Sequence, residues 1–288
     1  DITPRSGGKQ HMITSMFKYI NEIKEFKFHY ITTFAETKKI LDKELNIEST
    51  LYEKTSFYLK FLNRFYKFFN IFLKIHPFEK FIIKNKIDAI IFLDPSPLVM
   101  GIKKTPFIYP IFDIDYRKLN DLPEFKKKEI NLREKSHLHA CKNCSKLIVG
   151  HPGLKKEIST IYNIEPKKIV DIIFPPVITK LNYEKNKINK DFFFKLNKFK
   201  NYLLYPAQFW KHKNHEYIIK SFKNLSQSNL NNLNMIFTGE DKGNLLNIKN
   251  LISKFNLNKN FCIFNYVSNE ELCELYKNCK GVIIPTKV

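Results

Sequence analysis

The chain has 288 residues, which is long enough for two domains that each bury a core of their own. Hydrophobic residues make up 43% of it and aromatic residues 15%, a composition that argues for a folded globular protein and against disorder. The net charge of +21 leaves three classes of partner open: nucleic acid, an anionic membrane surface and anionic substrates. Because the lysines accompany many Asn, Ile and Phe residues, an AT-rich coding bias explains much of this charge.

Cysteine usage and the length of the apolar runs predict the compartment. No apolar run reaches the length that spans a bilayer, so we expect neither a membrane-spanning segment nor a signal peptide. Five cysteines, an odd number, indicate a reducing compartment, and we expect a cytoplasmic protein. His139, Cys141 and Cys144 are close in sequence, but no second ligand pair follows at a suitable spacing. We expect packed thiols there and no metal site.

A glycine pair is the first feature that suggests a ligand. Gly7 and Gly8 precede a predicted helix whose apolar positions include Met12, Met16 and Ile20. Such a pair lets the backbone approach a phosphate or a sugar closely, although ordinary turns use it as well. The sequence contains neither G-x-G-x-x-G nor a Walker A motif, which argues against an enzyme that binds a nicotinamide cofactor or ATP.

The segment Phe57–Ile75 has apolar residues at every third or fourth position, with basic residues between them. This spacing predicts an amphipathic helix. Two interpretations stay open. Either the helix packs against a core, or its basic and aromatic face contacts an anionic membrane surface that carries a lipid-linked acceptor.

Strands and helices alternate along the first part of the chain, which predicts a parallel, doubly wound sheet. Strands are predicted over 26–32, 47–52, 87–93, 107–112, 146–150 and 169–174, and helices over 34–45, over 126–144 and after 151–152. A Lys- and Asn-rich stretch that ends at Lys200 is interpreted as an interdomain linker with room for one short helix. We expect an N-terminal domain over 1–178, a linker over 179–200 and a C-terminal domain over 201–288.

A polar loop follows the strand predicted over 107–112. It contains Asp113, Asp115, Tyr116 and Arg117. Ligands of open parallel sheets bind outside the carboxyl ends of the strands, so these side chains are candidates for a site. The alternative is that the aspartates cap a helix and solvate the loop.

The stretch 202–220, YLLYPAQFWKHKNHEYIIK, predicts a buried strand, a loop and a helix that starts near Asn214. The charge of Lys213, beside the free N–H groups of that helix, makes a site for a phosphate. A solvated basic loop is the alternative. The loop also holds Trp210, the only tryptophan of the chain, which favours the site.

The alternation continues to the end of the sequence. Strands are predicted over 234–238, 261–265 and 281–284, and helices over 214–225, 244–255 and 269–278. The pattern as a whole predicts an α/β protein with parallel, doubly wound sheets.

The stretch 206–222, PAQFWKHKNHEYIIKSF, resembles the second-domain signature of glycosyltransferase family 4. These are group 1, retaining nucleotide-sugar transferases with two Rossmann-like domains in the GT-B arrangement, and PAQFW-x-HKNH is similar to a subset of them. The resemblance places Lys213 on the lysine that binds the donor diphosphate. It places Gln208 where many members have arginine, and it implies that Asn214 also contacts the donor.

Two later segments extend the resemblance. MIFTGE, residues 235–240, resembles the family's strand and glycine turn, which implies that Gly239 lies at the donor. FCIFNYVSNEELCELYKNCKGVIIPT, residues 261–286, resembles the family's run of G-Y-V-S, E-E-L, L-Y and P-S. From this run the resemblance implies five donor-binding residues: Tyr266, Val267, Leu272, Pro285 and Thr286. The family's acidic E-x7-E motif is missing, so we expect a fragment that lacks the first strand and half of the second domain.

The polar loop of the N-terminal half resembles the family pattern W-D-L-x-H-R … P-E-F. Asp113 and Arg117 match it, whereas Phe112 replaces the tryptophan and Tyr116 the histidine. The resemblance implies that this cluster and Lys213 carry the catalysis. A tyrosine donates a hydrogen bond but cannot act as a base near neutral pH. The family also has a glycine pair after its first strand, which assigns Gly7 and Gly8 to donor binding.

The function implied by the resemblance is retaining transfer of a sugar from a nucleotide-sugar to a glycan or lipid-linked acceptor, in the synthesis of a bacterial surface polysaccharide or glycolipid. It implies no cofactor and no obligatory metal, because Lys213 and the helix N-termini at Gly8 and Asn214 stabilise the leaving diphosphate. A basic nucleic-acid-binding protein is a rival hypothesis. Its lysines and arginines would cluster on one face, but here they spread along the entire sequence, so we expect no nucleic-acid partner. An epimerase of the same fold and an inactive member also stay open.

Overall fold

The computed structural model describes residues 12, 13, 16, 17, 19, 20, 22–44, 46–52, 76–119, 126–173 and 188–287. The chain forms two compact units. Unit 1 comprises Asp1–Lys118 and Lys126–Val177, and unit 2 comprises Leu119–Phe125 and Ile178–Val288. The glycine pair at 7–8 and the amphipathic helix predicted over 57–75 lie outside the described residues.

The described part of unit 1 contains two sheets with parallel strands. Strand β1 pairs with β2, and the second sheet has the order β3-β4-β5-β6. The strands are β1 (Tyr30–Thr32), β2 (Ser49–Leu51), β3 (Ile90–Ile91), β4 (Phe107–Ile111), β5 (Lys146–Val149) and β6 (Ile169–Asp171). The helices are α1 (Ala35–Lys39), α2 (Pro77–Lys84), α3 (Lys127–Asn143) and α4 (Pro152–Tyr162), with short 3-10 turns at Pro97–Gly101, Asp115–Arg117 and Pro166–Lys168.

A buried carboxylate joins α2 to the turn that precedes β4. Glu79 is fully buried, and its Oε1 accepts hydrogen bonds from the backbone N–H groups of Lys103, Lys104 and Thr105 at 2.9, 2.5 and 3.1 Å. Burial opposes ionisation, but the three bonds outweigh it and hold the pKa of Glu79 below its usual value. The carboxylate therefore stays charged and closes the turn.

Unit 2 has one described sheet, with the order β10-β7-β8-β9 and all strands parallel. Its strands are β7 (Tyr202–Pro206), β8 (Asn234–Thr238), β9 (Phe261–Phe264) and β10 (Gly281–Val282). Its helices are α5 (Lys190–Leu196), α6 (His215–Lys223), α7 (Gln227–Asn232), α8 (Leu245–Lys254) and α9 (Asn269–Asn278), with a 3-10 turn at Lys211–Lys213.

Both faces of this sheet are covered by helices, because both sets of alternating residues along its strands are apolar. One face buries Tyr205, Met235, Phe237 and Phe261 together with residues of α6 and α8. The opposite face buries a second set together with residues of α5 and α9: Tyr202, Leu204, Ile236, Cys262 and Phe264. Strands of a parallel sheet that is covered on both faces need apolar residues on both faces, and these strands have them.

The predicted strand over 234–238 and the predicted helix over 269–278 match the structure to the residue. The strand predicted over 202–205 extends one residue further, to Pro206, and the other elements predicted for unit 2 are present with shorter ends. Helix α7 was not predicted, since its sequence QSNLNN has no apolar periodicity and a serine cap at Ser226 starts it. The predicted linker contains the one short helix for which it had room, and Phe192 and Leu196 of that helix are buried in the core of unit 2.

In unit 1 the predicted strands are all present in shortened form, and the helix predicted over 34–45 departs most from expectation. It is α-helical only over α1 and continues as a wider π-helical turn, Ile40–Glu44. Lys38 in α1 donates to Asp42 at 2.5 Å and to the carbonyl of Ser49 at 2.5 Å. These bonds connect the wider turn to β2.

The five cysteines are all free thiols. Cys141 and Cys144 are buried, as expected, and burial raises the pKa of these thiols to about 12 and about 11. His139 Nε2 lies 3.0 Å from the carbonyl oxygen of Ile102 and its ring stacks on Phe107. Within the described ranges, no three His, Cys, Asp or Glu side chains form a group that could hold a metal ion.

Among the helices that the structure describes, none combines the length and the apolar character that crossing a bilayer requires.

We predict that Glu79→Gln lowers the free energy of unfolding of unit 1 by about 1.5–3 kcal/mol, because a charged acceptor of three hydrogen bonds becomes neutral. Urea unfolding followed by far-UV circular dichroism measures this, while the fluorescence of Trp210 follows unit 2. Glu129→Gln is the matched control, since Glu129 is exposed and its ion pair with Lys126 is 3.9 Å long. Equal destabilisation by both substitutions would contradict the role of Glu79.

Candidate functional site

The loops that follow the strands of unit 2 lie at one edge of its sheet. Since all four strands are parallel, their carboxyl ends share that edge. Eight predicted donor-binding residues occupy these loops: Gln208, Lys213, Asn214, Gly239, Tyr266, Val267, Pro285 and Thr286. Leu272 does not, because it lies in the first turn of α9, half-buried, with its N–H bonded to the carbonyl of Ser268 at 2.9 Å.

The loops after β7 and β8 are in direct backbone contact at Gly239. A Cβ atom at this position would lie 2.3 Å from the carbonyl oxygen of Ala207 and 2.8 Å from the nitrogen of Gln208. One residue further on, the N–H of Phe209 donates to the carbonyl of Glu240 at 3.0 Å. Only glycine permits this approach, so residue 239 fixes where the loop after β7 begins.

The loop after β10 is attached to the same loop by side chains. Asn214 has a left-handed backbone with φ +57°, a conformation that asparagine tolerates better than most residues. Its Nδ2 donates to the carbonyl of Pro285 at 3.0 Å. The carbonyl of His212 accepts from Thr286 Oγ1 at 3.4 Å and from the N–H of Lys287 at 3.1 Å. Pro285 and Thr286 thus hold the loop that carries Lys213.

Lys213 is half-buried, and both its backbone N–H and its backbone carbonyl are hydrogen-bonded. Its N–H donates to the carbonyl of Trp210 at 3.2 Å, and its carbonyl accepts from Tyr205 Oη at 2.8 Å. Its Nζ makes no hydrogen bond or ion pair with any described residue. Helix α6 begins two residues later, and no side chain caps its first turn. A cation and uncapped N–H groups therefore lie together, which suits an anion.

Helix α9, on the opposite face of the sheet, starts differently. Ser268 Oγ accepts from the N–H of Glu271 at 3.1 Å, and Glu271 Oε2 accepts from the N–H of Ser268 at 2.9 Å. This capping box satisfies the first turn of α9 internally and brings a carboxylate to it. An anion is consequently favoured at α6 and disfavoured at α9. Tyr266, just before the box, is about half exposed.

His215 anchors the first turn of α6 in the core. The side chain is fully buried, and its ring lies 4.7, 4.9 and 5.0 Å from those of Tyr205, Phe209 and Phe237. Burial lowers the pKa of His215 to about 4. The backbone of Ala207 opposes this effect, and the nearby charge of Lys213 adds a smaller lowering. The imidazole is neutral at physiological pH and serves packing.

In unit 1 the three residues predicted to be catalytic belong to an ion-pair and aromatic network. Asp113 accepts from Arg133 at 2.8 Å, and Arg117 donates to both carboxylate oxygens of Glu134. Tyr116 is buried, and its hydroxyl donates to Glu134 Oε2 at 2.7 Å. Asp113 and Arg117 are each 38% exposed at the side chain. The hydroxyl of Tyr116 is thus directed into the unit.

The sequence pattern did not identify the partners of Asp113, Tyr116 and Arg117, because these partners lie on α3 and α4. His137 Nδ1 is 3.2 Å and Tyr162 Oη 3.3 Å from the hydroxyl of Tyr116. Burial opposes ionisation of Glu134, but the bonds from Arg117 and Tyr116 hold its pKa below the usual value. Burial lowers the pKa of His137 to about 4, and burial above all raises the pKa of Tyr116. The spacing of Arg133, Glu134 and His137 along one helix was the signal available in the sequence.

Residues 186–288 match the model of a family described as Glycosyl transferases group 1. No curated protein has a sequence that matches the chain. The solved structures that share its fold include HepE, WaaG and a Rickettsia africae glycosyltransferase. HepE from Anabaena, in complex with UDP and glucose, has a TM-score of 0.67 at 13% identity, with 100% of this chain and 73% of HepE covered. WaaG, a glycosyltransferase involved in lipopolysaccharide biosynthesis, has a TM-score of 0.63 at 15% identity, with 99% and 73% covered.

The third structure is a glycosyltransferase from Rickettsia africae, with a TM-score of 0.60 at 18% identity and 99% and 71% of the two chains covered. These likenesses confirm the predicted α/β class with parallel, Rossmann-like sheets of the GT-B glycosyltransferase type. The family match supports the group 1 part of the resemblance and falls on the residues that carry Lys213.

We predict that Gly239→Ala destabilises unit 2 by about 2 kcal/mol, because a methyl group 2.3 Å from a backbone oxygen forces the two loops apart. Urea unfolding followed by Trp210 fluorescence measures this. Gly281→Ala is the control, because its Cβ would meet only a side-chain atom of Leu203 at 3.7 Å. The interpretation fails if both variants unfold at the same urea concentration.

We also predict that unit 2 loses stability as the pH falls from about 6.5 towards 4. The folded pKa of His215, about 4, lies below the value of about 6.5 in an unfolded chain, so the unfolded state binds the proton first. The loss reaches about 2 kcal/mol at pH 5. In His215→Leu the difference between pH 7 and pH 5, read from Trp210 fluorescence in urea, should shrink by this amount. An unchanged difference would rule out His215 as its source.

Proposed function

We propose that the chain is a family 4 glycosyltransferase of the PAQFW-x-HKNH subset. It transfers a sugar from a nucleotide-sugar to a glycan or lipid-linked acceptor with retention of the anomeric configuration. The proposal rests mainly on the surroundings of Lys213. Its Nζ has no partner among the described residues, and the residue lies beside the start of α6, which no side chain caps. The same residues fall within the match to group 1 glycosyltransferases.

The donor diphosphate binds at Lys213 and at the N–H groups of α6. Negative charge grows on the leaving phosphate oxygen as the bond to the sugar breaks, and a fixed cation and fixed dipoles stabilise it there. In retaining transfer the acceptor oxygen attacks the anomeric carbon from the side of the leaving group, and its proton passes to the departing phosphate. We propose that this chemistry needs no cofactor and no metal, since the cation is a side chain.

Four of the remaining proposed donor contacts lie on the loops at the same edge of unit 2. Tyr266 and Val267 precede α9, and Pro285 and Thr286 hold the loop of Lys213 in place. The fifth, Leu272, lies in the first turn of α9. HepE is described in complex with UDP and glucose, and this makes uridine nucleotides the first donors to test. Gly7 and Gly8, also assigned to the donor, lie outside the described residues.

The acceptor side of the reaction is assigned to unit 1. Asp113 and Arg117 are exposed enough to contact a hydroxyl-rich acceptor, and both follow β4 at the carboxyl edge of its sheet. Tyr116 supports them from beneath, since it bonds Glu134 and its ring lies 4.9 Å below the guanidinium carbon of Arg133. We assign it a positioning role in catalysis rather than contact with the sugar.

We also propose that the protein acts in the cytoplasm, in peripheral contact with a membrane. Five free thiols fit a reducing cytoplasm, and the net charge of +21 fits a peripheral contact with anionic lipids. A lipid-linked acceptor would be reached by such a contact without a membrane-spanning helix.

We predict that Lys213→Ala abolishes transfer and weakens nucleotide binding, whereas Lys211→Ala has little effect. The two substitutions remove the same charge from one loop, but Lys211 is exposed. Thermal unfolding with a panel of nucleotide-sugars measures binding, because a ligand at a hundredfold excess over its Kd stabilises the native state by about 2.7 kcal/mol. Product analysis with and without an acceptor measures transfer.

Three outcomes would contradict the proposal. Transfer by purified Lys213→Ala at the wild-type rate would remove the assignment of Lys213. Epimerisation of the donor without any acceptor would favour an epimerase of the same fold. Stabilisation by oligonucleotides alone, lost at high salt, would favour a nucleic-acid-binding protein.

A further inference from the structure

The hydroxyl of Tyr205 connects the core of unit 2 to the loop that carries Lys213. Tyr205 lies on β7 and is buried. Its Oη donates to the backbone carbonyl of Lys213 at 2.8 Å. Burial raises the pKa of Tyr205 to about 12, so the hydroxyl keeps its proton at physiological pH and remains a donor. The bond therefore joins the strand to the backbone of the residue that carries the proposed diphosphate cation.

The ring of Tyr205 has little freedom to move. Its centroid lies 4.7 Å from that of His215 and 6.3 Å from that of Phe237. Its strand, β7, is paired with β10 on one side and with β8 on the other. Because a side chain packed in this way stays in one rotamer, its hydroxyl is a fixed point. A phenylalanine would fill almost the same space, so the hydroxyl is the part of this side chain that acts on the loop.

Lys213 lies where the loop after β7 turns into α6. It ends the 3-10 turn Lys211–Lys213, and its N–H donates to the carbonyl of Trp210 within the same loop at 3.2 Å. Asn214 follows with a left-handed backbone, φ +57°, and α6 begins after it. The bond from Tyr205 joins this junction to a central strand. It thereby fixes where the lysine side chain starts relative to the first N–H groups of the helix.

The position of this backbone matters for an anion because a lysine has a flexible four-carbon stem. Ordering such a stem when a ligand binds opposes affinity, and a side chain that starts from a fixed backbone loses less freedom. An anchored Lys213 can therefore keep its amino group near the N–H groups of α6 before the ligand arrives.

We propose that Tyr205 is a positioning residue for nucleotide-sugar binding, and that it acts by holding the backbone of Lys213 so that the amino group meets the donor diphosphate. The inference rests on the proposed function and adds the means by which the core of unit 2 fixes the cation. Tyr205 acts through Lys213 and not through contact with the ligand.

Tyr202 provides a matched comparison on the same strand. It is also buried, and its Oη donates to the backbone carbonyl of Leu275 at 2.8 Å. Leu275 belongs to α9, which packs on the opposite face of the sheet. The two tyrosines thus make the same kind of hydrogen bond at the same distance. Only the bond from Tyr205 reaches the loop that carries Lys213.

Calorimetric titration of the whole chain with UDP, GDP and ADP tests the inference, with the tightest of the three as the probe. Tyr205→Phe keeps the ring and removes the hydroxyl. We expect it to weaken binding about fivefold, because the lysine must then be ordered by the ligand. Tyr202→Phe should change the Kd by less than about twofold, since its bond lies away from the loop. Circular dichroism shows that both variants are folded.

A double variant tests whether Tyr205 acts through the cation. Lys213→Ala removes the amino group, after which the hydroxyl has no charge left to position. Tyr205→Phe combined with Lys213→Ala should therefore bind the probe within about twofold of Lys213→Ala alone. A second loss of about fivefold on top of Lys213→Ala would show that the hydroxyl acts by another route, and it would overturn the inference.

The outcomes separate this inference from the function on which it rests. Equal weakening by Tyr205→Phe and Tyr202→Phe would indicate a general loosening of unit 2 and would overturn the inference alone. Wild-type binding by Tyr205→Phe, with binding weakened in Lys213→Ala, would do the same. If the wild-type chain binds none of the three nucleotides, both proposals fall.

Discussion

The site in unit 2 depends on one backbone contact, the approach of Gly239 to the carbonyl of Ala207. Because no Cβ fits there, the loops after β7 and β8 leave the sheet side by side. The bond from Phe209 to Glu240 then continues the pairing past the strands. Everything that follows in the loop, including Trp210 and Lys213, is placed relative to this contact. A loop that left the sheet elsewhere would not start α6 under the end of β10, where Asn214 reaches the carbonyl of Pro285.

At the carboxyl edge of the unit 2 sheet, the positions of the individual charges matter more than the net charge of the chain. Several lysines of unit 2 are matched by carboxylates, as with Lys242 and Glu240 at 2.5 Å and Lys220 and Glu216 at 3.7 Å. Lys213 has no such partner in the part of the chain that the structure describes, and it lies next to helix N–H groups that no side chain caps. Half-burial keeps the amino group from being fully screened by water. The net charge of +21 by itself says little about whether this edge binds an anion, since exposed lysines contribute weakly to specific binding.

The corresponding edge of unit 1 is organised in the opposite way. The two arginines described there are paired within the cluster: Arg133 with Asp113, and Arg117 with Glu134. Tyr116 connects the pairs from the interior, through a hydroxyl that bonds Glu134 and a ring that lies beneath Arg133. Such a closed network holds Asp113 and Arg117 in fixed positions, which suits recognition of a neutral, hydroxyl-rich group better than binding of a phosphate. The two edges therefore differ in chemistry although both follow parallel strands.

The sequence alone determined the strands of unit 2 and all its helices except α7. Tyr202, Leu204, Met235 and Phe237 are apolar on alternating positions, and helical spacing returns between the strands. The sequence also located the loops, since the carboxyl ends of parallel strands must share an edge, and a family resemblance singled out Lys213 on that edge. Only the tertiary structure decided which side chains are engaged. Glu134 comes to Tyr116 from 18 residues along the chain, and Asn214 meets Pro285 across 71 residues. Contacts at such separations leave no local pattern, because they arise from how helices pack on the sheet rather than from the propensities of the residues that make them.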